Sequence, residues 1–262
     1  MAELLLVAGV SLAASALTLF SGFGLGTLLM PVLALLFPVP VAVAATAVVH
    51  LCNNLFRLVL IGRHARLDVV LRFGVPAGAA ALLGAYALLQ LSSLPVVWRY
   101  DGFGATRNVE AVQLAIGILI MLFAALELSP RFARLAIPPR FLPLGGLVSG
   151  FFGGLSGNQG ALRAAFLVRA GLDKTAFVGT SVVCSVIVDT LRLLVYGFVF
   201  LGSRETFLDP ALQETVLVAI AAAFAGAFAG VRLLGKVTLR FVQLTVAGMM
   251  LLIGAGLASG ML

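Results

Sequence analysis

The sequence predicts an all-α polytopic membrane protein, on three observations. Of its 262 residues 62% are hydrophobic and only 10% are charged, against about a quarter charged in soluble domains. The mean hydropathy is +1.17, and apolar runs of roughly 20 residues, long enough to cross a bilayer, recur throughout. The basic residues cluster in short loops between those runs, as the positive-inside bias requires. The net charge of +7 is therefore loop charge and not a nucleic-acid footprint. One membrane domain, 1–262, accounts for the whole chain.

The opening run, MAELLLVAGVSLAASALTL, has no basic region ahead of it and carries Glu3. It reads as a retained membrane segment and not as a cleaved signal. It belongs to a first stretch, 3–37, that breaks at SGFGLG (21–26), and helices follow at roughly 40–61, 71–94 and 111–129. After a basic loop, 130–140, a second stretch, 141–174, breaks at SGFFGGLSGNQG (149–160). Helices at 175–201, 213–233 and 238–260 complete the chain. Each broken stretch admits a bent span, a re-entrant hairpin of two short helices, or two full spans. Cys52 and Cys184 lie inside apolar segments, which supports neither a disulfide framework nor a zinc site.

Loop charges orient the segments. The loop after 40–61 carries Arg63, Arg66 and Arg72 against Asp68, and 130–140 carries Arg131, Arg134 and Arg140 with no acid. Arg232, Lys236 and Arg240 mark a third basic loop. Between them, 95–110 is balanced, with Trp98 and Tyr100 as interfacial anchors, and 202–214 is acidic. The loops then alternate in, out, in, out, in, with both termini outside a multi-pass inner cell membrane. The stretch 141–174 must start and end inside. Its two arms of about 15 residues are short for full spans, which favours the re-entrant hairpin.

The halves 3–129 and 141–260 align at an offset of 134 to 135 residues. Ser21-Gly22 falls on Ser156-Gly157, Gly26 on Gly160, Thr46 on Thr180 and NLFR (54–57) on DTLR (189–192). Helix 40–61 runs out to in and 175–201 runs in to out, so the expected architecture is two inverted half-repeats. Each half has a glycine-broken segment followed by three transmembrane helices. That is a secondary-transporter pattern, with the binding site where the broken segments meet.

Several residues fit an anion site there. Gly22, Gly24, Gly157 and Gly160 permit tight turns whose backbone amides face a cavity, because irregular backbone at membrane depth must line one or be buried. Exposed amides at short helix N-termini attract anions. Ser156, Asn158 and Gln159 add polar side chains that packing alone does not explain, whereas Gly145 and Gly146 fit packing equally well. Arg163, Arg57 and Arg192 are candidate counter-charges, and a guanidinium fork holds a paired oxyanion. Arg163 and Arg57 also fit snorkelling to the surface. Thr46, His50 and Asn54 share a face with Arg57, and Thr180 is the equivalent of Thr46. Asp189 is either the partner of Arg192 at i+3 or a carrier of a coupling proton.

The sequences SGFGLGTLLMP, ATAVVHLCNNLFR, GLVSGFFGGLSGNQGALR and DTLR together resemble the TauE/SafE sulfite exporter family, over essentially the whole chain. The resemblance implies a membrane transporter of small sulfur-containing anions such as sulfite, sulfoacetate or another organosulfonate. It implies export, which alternating access of the inverted halves would carry out. An anion channel of the same fold stays open as an alternative. A membrane enzyme has less support, since no catalytic or metal cluster stands out among two histidines and scattered acids. No cofactor is expected, and no P-loop is present. The expected partners are the small anion and the bilayer, with a homodimer left open.

Overall fold

The computed structural model describes residues 1–21, 25–102, 105–129, 131, 135–200, 209–233 and 239–262. Ten helices are described: α1 Ala2–Ser21, α2 Leu25–Leu33, α3 Val39–Ile61, α4 Leu67–Ser92, α5 Ala111–Leu128, α6 Leu142–Ser156, α7 Gly160–Leu167, α8 Lys174–Phe200, α9 Pro210–Leu233 and α10 Leu239–Ala258. Among the described residues, five helices are long and apolar enough to cross a membrane, namely α3, α4, α5, α8 and α9. The expected helical membrane class holds.

Local chemistry sets several boundaries. Pro38 and Pro40 open α3, where a missing N–H costs nothing because the first turn has no acceptor for it. A Glu110–Gln113 capping box opens α5. Within α4 the turn widens to π geometry over Val70–Gly74, which ends two residues before Pro76. Proline removes a helical hydrogen bond and its ring crowds the carbonyl four residues back, and a wider turn relieves both.

Two features depart from expectation. The balanced 95–110 connection is a β-hairpin outside the helical bundle, with β1 Val96–Gly102 antiparallel to β2 Ala105–Glu110 and Tyr100 opposite Arg107. Valine, tryptophan and tyrosine favour strands, so the signal was present. The hairpin is tied to the chain's end by Tyr100 Oη, which donates to Ser259 O at 2.7 Å. The broken segments also have unequal arms. Helix α1 has 20 residues and α2 has 9, while α6 has 15 and α7 has 8. At about 1.5 Å per residue the short arms reach under half of the hydrocarbon thickness, so neither spans it.

Most glycines of the second broken segment serve helix contact. A Cβ on Gly146, Gly150 or Gly154 would stand 2.0–2.2 Å from the carbonyl oxygens of Phe73, Ala77 and Ala81. This stripe, one glycine per turn, lets α6 lie directly on the α4 backbone. Gly145 is filled by the Phe166 ring. Helix α1 lies on α9 in the same manner, with Gly226 against Leu12 O, and α5 lies on α10 through Gly117 and Gly254. The main apolar core runs between these pairs, through Leu25, Leu29, Leu33, Ile116 and Met250, all at most 1% exposed.

Candidate functional site

The polar residues converge where α3 and α8 cross beside the break between α6 and α7. Spacing explains the convergence: His50, Asn54 and Arg57 recur on one face of α3, and Ser185, Asp189 and Arg192 on one face of α8. All six are buried. Asp189 is the centre. Its Oδ2 lies 2.6 Å from His50 Nδ1 and accepts from Asn54 Nδ2 at 3.1 Å. A carboxylate only accepts, so Nδ1 carries the hydrogen. The 3.1 Å approach of Asn54 Nδ2 to His50 Nδ1 is then a contact between two donors sharing one acceptor. Asp189 Oδ1 lies 2.8 Å from Arg192 Nη2. That contact lacks hydrogen-bond geometry and neither atom has another partner among the described residues, so the attraction is ionic.

Arg192 also fixes the break. Its Nη1 donates to Gly153 O at 3.1 Å, and one turn later Tyr196 Oη donates to Gly154 O. These carbonyls belong to the last turn of α6, where intrahelical donors run out and side chains supply further bonds. Gly157 then turns the chain in the left-handed region, at φ +81°, and its N–H closes on Gly153 O at 3.0 Å. Gly160 begins α7, buried, and Ser156 bonds back to Phe152 O. The first break reaches the same place: a Cβ on Gly26, in the first turn of α2, would stand 3.1 Å from Gly157 O and 3.9 Å from His50 Cδ2. The N-terminal turns of both short helices therefore flank one polar cluster.

Asn158 and Gln159 are each 3% exposed, and Asn158 Oδ1 and Gln159 Nε2 have no hydrogen-bond partner among the described residues. Arg163 lies one turn further on and donates from Nη1 to Ser185 Oγ at 2.6 Å. It is 4% exposed, which excludes snorkelling. Arg57 is equally sequestered at 5%, pairs with no carboxylate among the described residues, and leaves Nε without a partner. Arg163 is near enough for its charge to act on that of Arg57.

Thr180 stands apart from the cluster. Its Oγ1 accepts from the backbone N–H of Arg66 at 3.0 Å, pinning the loop after α3 to the start of α8. Thr46 is buried one turn before His50, and its hydroxyl has no hydrogen-bond partner among the described residues. Gly22 and Gly24 lie outside the described residues.

The model of the Sulfite exporter TauE/SafE family matches residues 7–257. The chain belongs to that family. No curated protein and no solved structure matches it. As a TauE/SafE protein it is a membrane transport protein, and its cluster contains residues that spacing alone left out. Asn53 accepts from Ser15 Oγ at 3.2 Å, tying α3 to α1. Ser149 donates to Gln159 O at 3.1 Å across the break. On α8 the missing positions were Ser185, one turn before Asp189, and Tyr196, one turn after Arg192. The four-residue spacing through Asp189 and Arg192 was the signal available for both. Among the described residues, no group of His, Cys, Asp or Glu could hold a metal.

Proposed function

We propose that this TauE/SafE protein exports a small sulfur oxyanion, sulfite or a compact organosulfonate, by alternating access. One observation carries the reading: three buried guanidiniums and one buried carboxylate, Asp189, lie beside a helix break where polar side chains have no hydrogen-bond partner among the described residues. In the proposed site Arg57 and Arg163 attract the anion. Asn158, Gln159 and the first-turn amides of α7 and α2, with Gly157 and Gly160 giving backbone access, orient its oxygens. Arg192 and Asp189 act as a structural pair that fixes the break, and His50 and Asn54 hold Asp189 in place. Ser156 and Thr46 line the margins.

The inverted-repeat reading has support in the packing. The first helix of each half lies on the third helix that follows the break in the other half, α1 on α9 and α6 on α4. The last helices, α5 and α10, meet through mutually facing glycines. Rocking of two such halves around the cluster would expose it to either side in turn.

The test is flux from proteoliposomes loaded with sulfite or sulfoacetate. The expected result is saturable export that Arg163→Ala abolishes while the protein stays folded. Folded wild-type protein that moves neither anion would sink the reading, and large unsaturable currents would replace the transporter with a channel. Reporters near the N-terminus and within 62–72 found on one side of the membrane would overturn the inverted arrangement.

A further inference from the structure

We infer that the anion leaves the cluster along a buried polar stripe of α3, through a second, charge-free station formed by Asn53 and Thr46 with Ser11 of α1. The inference rests on the anion-transport reading above and extends it from a site to a route. Thr46, His50, Asn53 and Arg57 recur at intervals of four, three and four residues, which puts them on one face of α3. All four are buried, Thr46 and Asn53 at 1% exposure each.

Within this stripe His50 is committed to Asp189. Asn53 Oδ1 accepts from Ser15 Oγ, which leaves the amide Nδ2 directed elsewhere. That Nδ2, Arg57 Nε and the Thr46 hydroxyl have no hydrogen-bond partner among the described residues. Neither does the hydroxyl of Ser11, which is fully buried on α1 one turn before Ser15 and on the same face. Helix packing does not explain these groups. Apolar side chains of the same shape would fill the space without burying an unbonded donor. Unbonded donors continuing along two helices that touch at Ser15 and Asn53 are what a passing species rich in acceptors requires.

An oxyanion is such a species, since each of its oxygens accepts, and the amide, the hydroxyls and the guanidinium all donate. Arg57 holds it by charge. Asn53, one turn nearer the start of α3, is the next donor, and Thr46 lies two turns beyond. Conduction requires binding strong enough to admit the ion and weak enough to release it, which successive sites of unequal strength provide. Hydrogen bonds between neutral donors and the anion replace part of its hydration without the hold of a fixed counter-charge. The route therefore descends in strength from Arg57 toward the N-terminal end of α3. That is the outward direction in the orientation that the loop charges predict.

The experiment compares sulfite and sulfoacetate efflux from proteoliposomes with calorimetric binding of the same anions to purified protein, for wild type, Asn53→Leu, Thr46→Val and Ser11→Ala. Losing one hydrogen bond to the moving anion should slow efflux about tenfold in Asn53→Leu and about threefold in each hydroxyl variant. Binding should stay close to wild type in all three, because Arg57 and the helix break are intact. Thr46→Val and Ser11→Ala should also unfold at or above the wild-type temperature, whereas loss of a merely structural polar contact would lower it. If Asn53→Leu does not fold, the two hydroxyl variants carry the test. Wild-type efflux rates in these variants would overturn the inference, and so would binding that falls in step with efflux. Either outcome leaves the anion-transport reading standing. Folded wild-type protein that moves neither anion overturns both.

Discussion

Asn54/Arg57 on α3 and Asp189/Arg192 on α8 have the same spacing and the same arginine, yet the arginines differ in their partners. Arg192 meets a carboxylate one turn away and donates from Nη1 to the end of α6. Arg57 has an amide in the acid's place, and that amide turns toward Asp189 instead. A one-residue difference, Asn for Asp, converts a structural ion pair into an uncompensated charge. Two helix faces of like spacing thus differ in role: the α8 pair fixes the break, while Arg57 pairs with no carboxylate among the described residues.

This contrast breaks most readily at Arg192. Arg192→Gln strands Asp189 without its cation and removes support from the α6 terminus. Loss of one partner of a buried pair should cost about 3–5 kcal/mol, read as a lower unfolding temperature in detergent. The same substitution at Arg57 should act in reverse. With no anion present, Arg57→Gln removes a buried charge with an unsatisfied donor and should stabilise the protein by about 1–3 kcal/mol. If both variants shift unfolding in the same direction, the division of labour is wrong.

The glycines sharpen the comparison at smaller scale. Gly150→Ala drives a Cβ to 2.0 Å from Ala77 O and must separate α6 from α4, at about 1–3 kcal/mol for overpacking. Gly197→Ala meets nothing within 4 Å and is the matched control, expected to leave the unfolding temperature unchanged. Gly157→Ala is a different case, since its φ of +81° costs an L-residue about 1–2 kcal/mol. Its Cβ would also stand 3.0 Å from Arg192 Nη1. It should therefore lower anion affinity as well as stability, whereas Gly150→Ala should act on stability first. Binding measured beside thermal unfolding separates the two.

Much of this was legible in the chain. Apolar run lengths and basic loops determined a helical membrane protein, and the places of both breaks, because hydrocarbon admits only helices with satisfied backbones. The family was readable in the same broken segments. Three- and four-residue spacing also put His50, Asn54 and Arg57 on one face, and Asp189 with Arg192 on another.

What the sequence left open depended on neighbours far along the chain. Gly146, Gly150 and Gly154 look no different from Gly157 as letters. Only the docked α4 backbone makes the first three contact glycines, and only the backbone turn makes the fourth a conformational one. Thr180 looked like a counterpart of Thr46 until the 62–66 loop folded over it. The partnership of His50 with Asp189 joins residues 139 apart. Periodicity fixes which residues share a helix face, since that is local geometry. Which faces meet, and hence which buried charge finds its counter-charge, is decided when the helices pack.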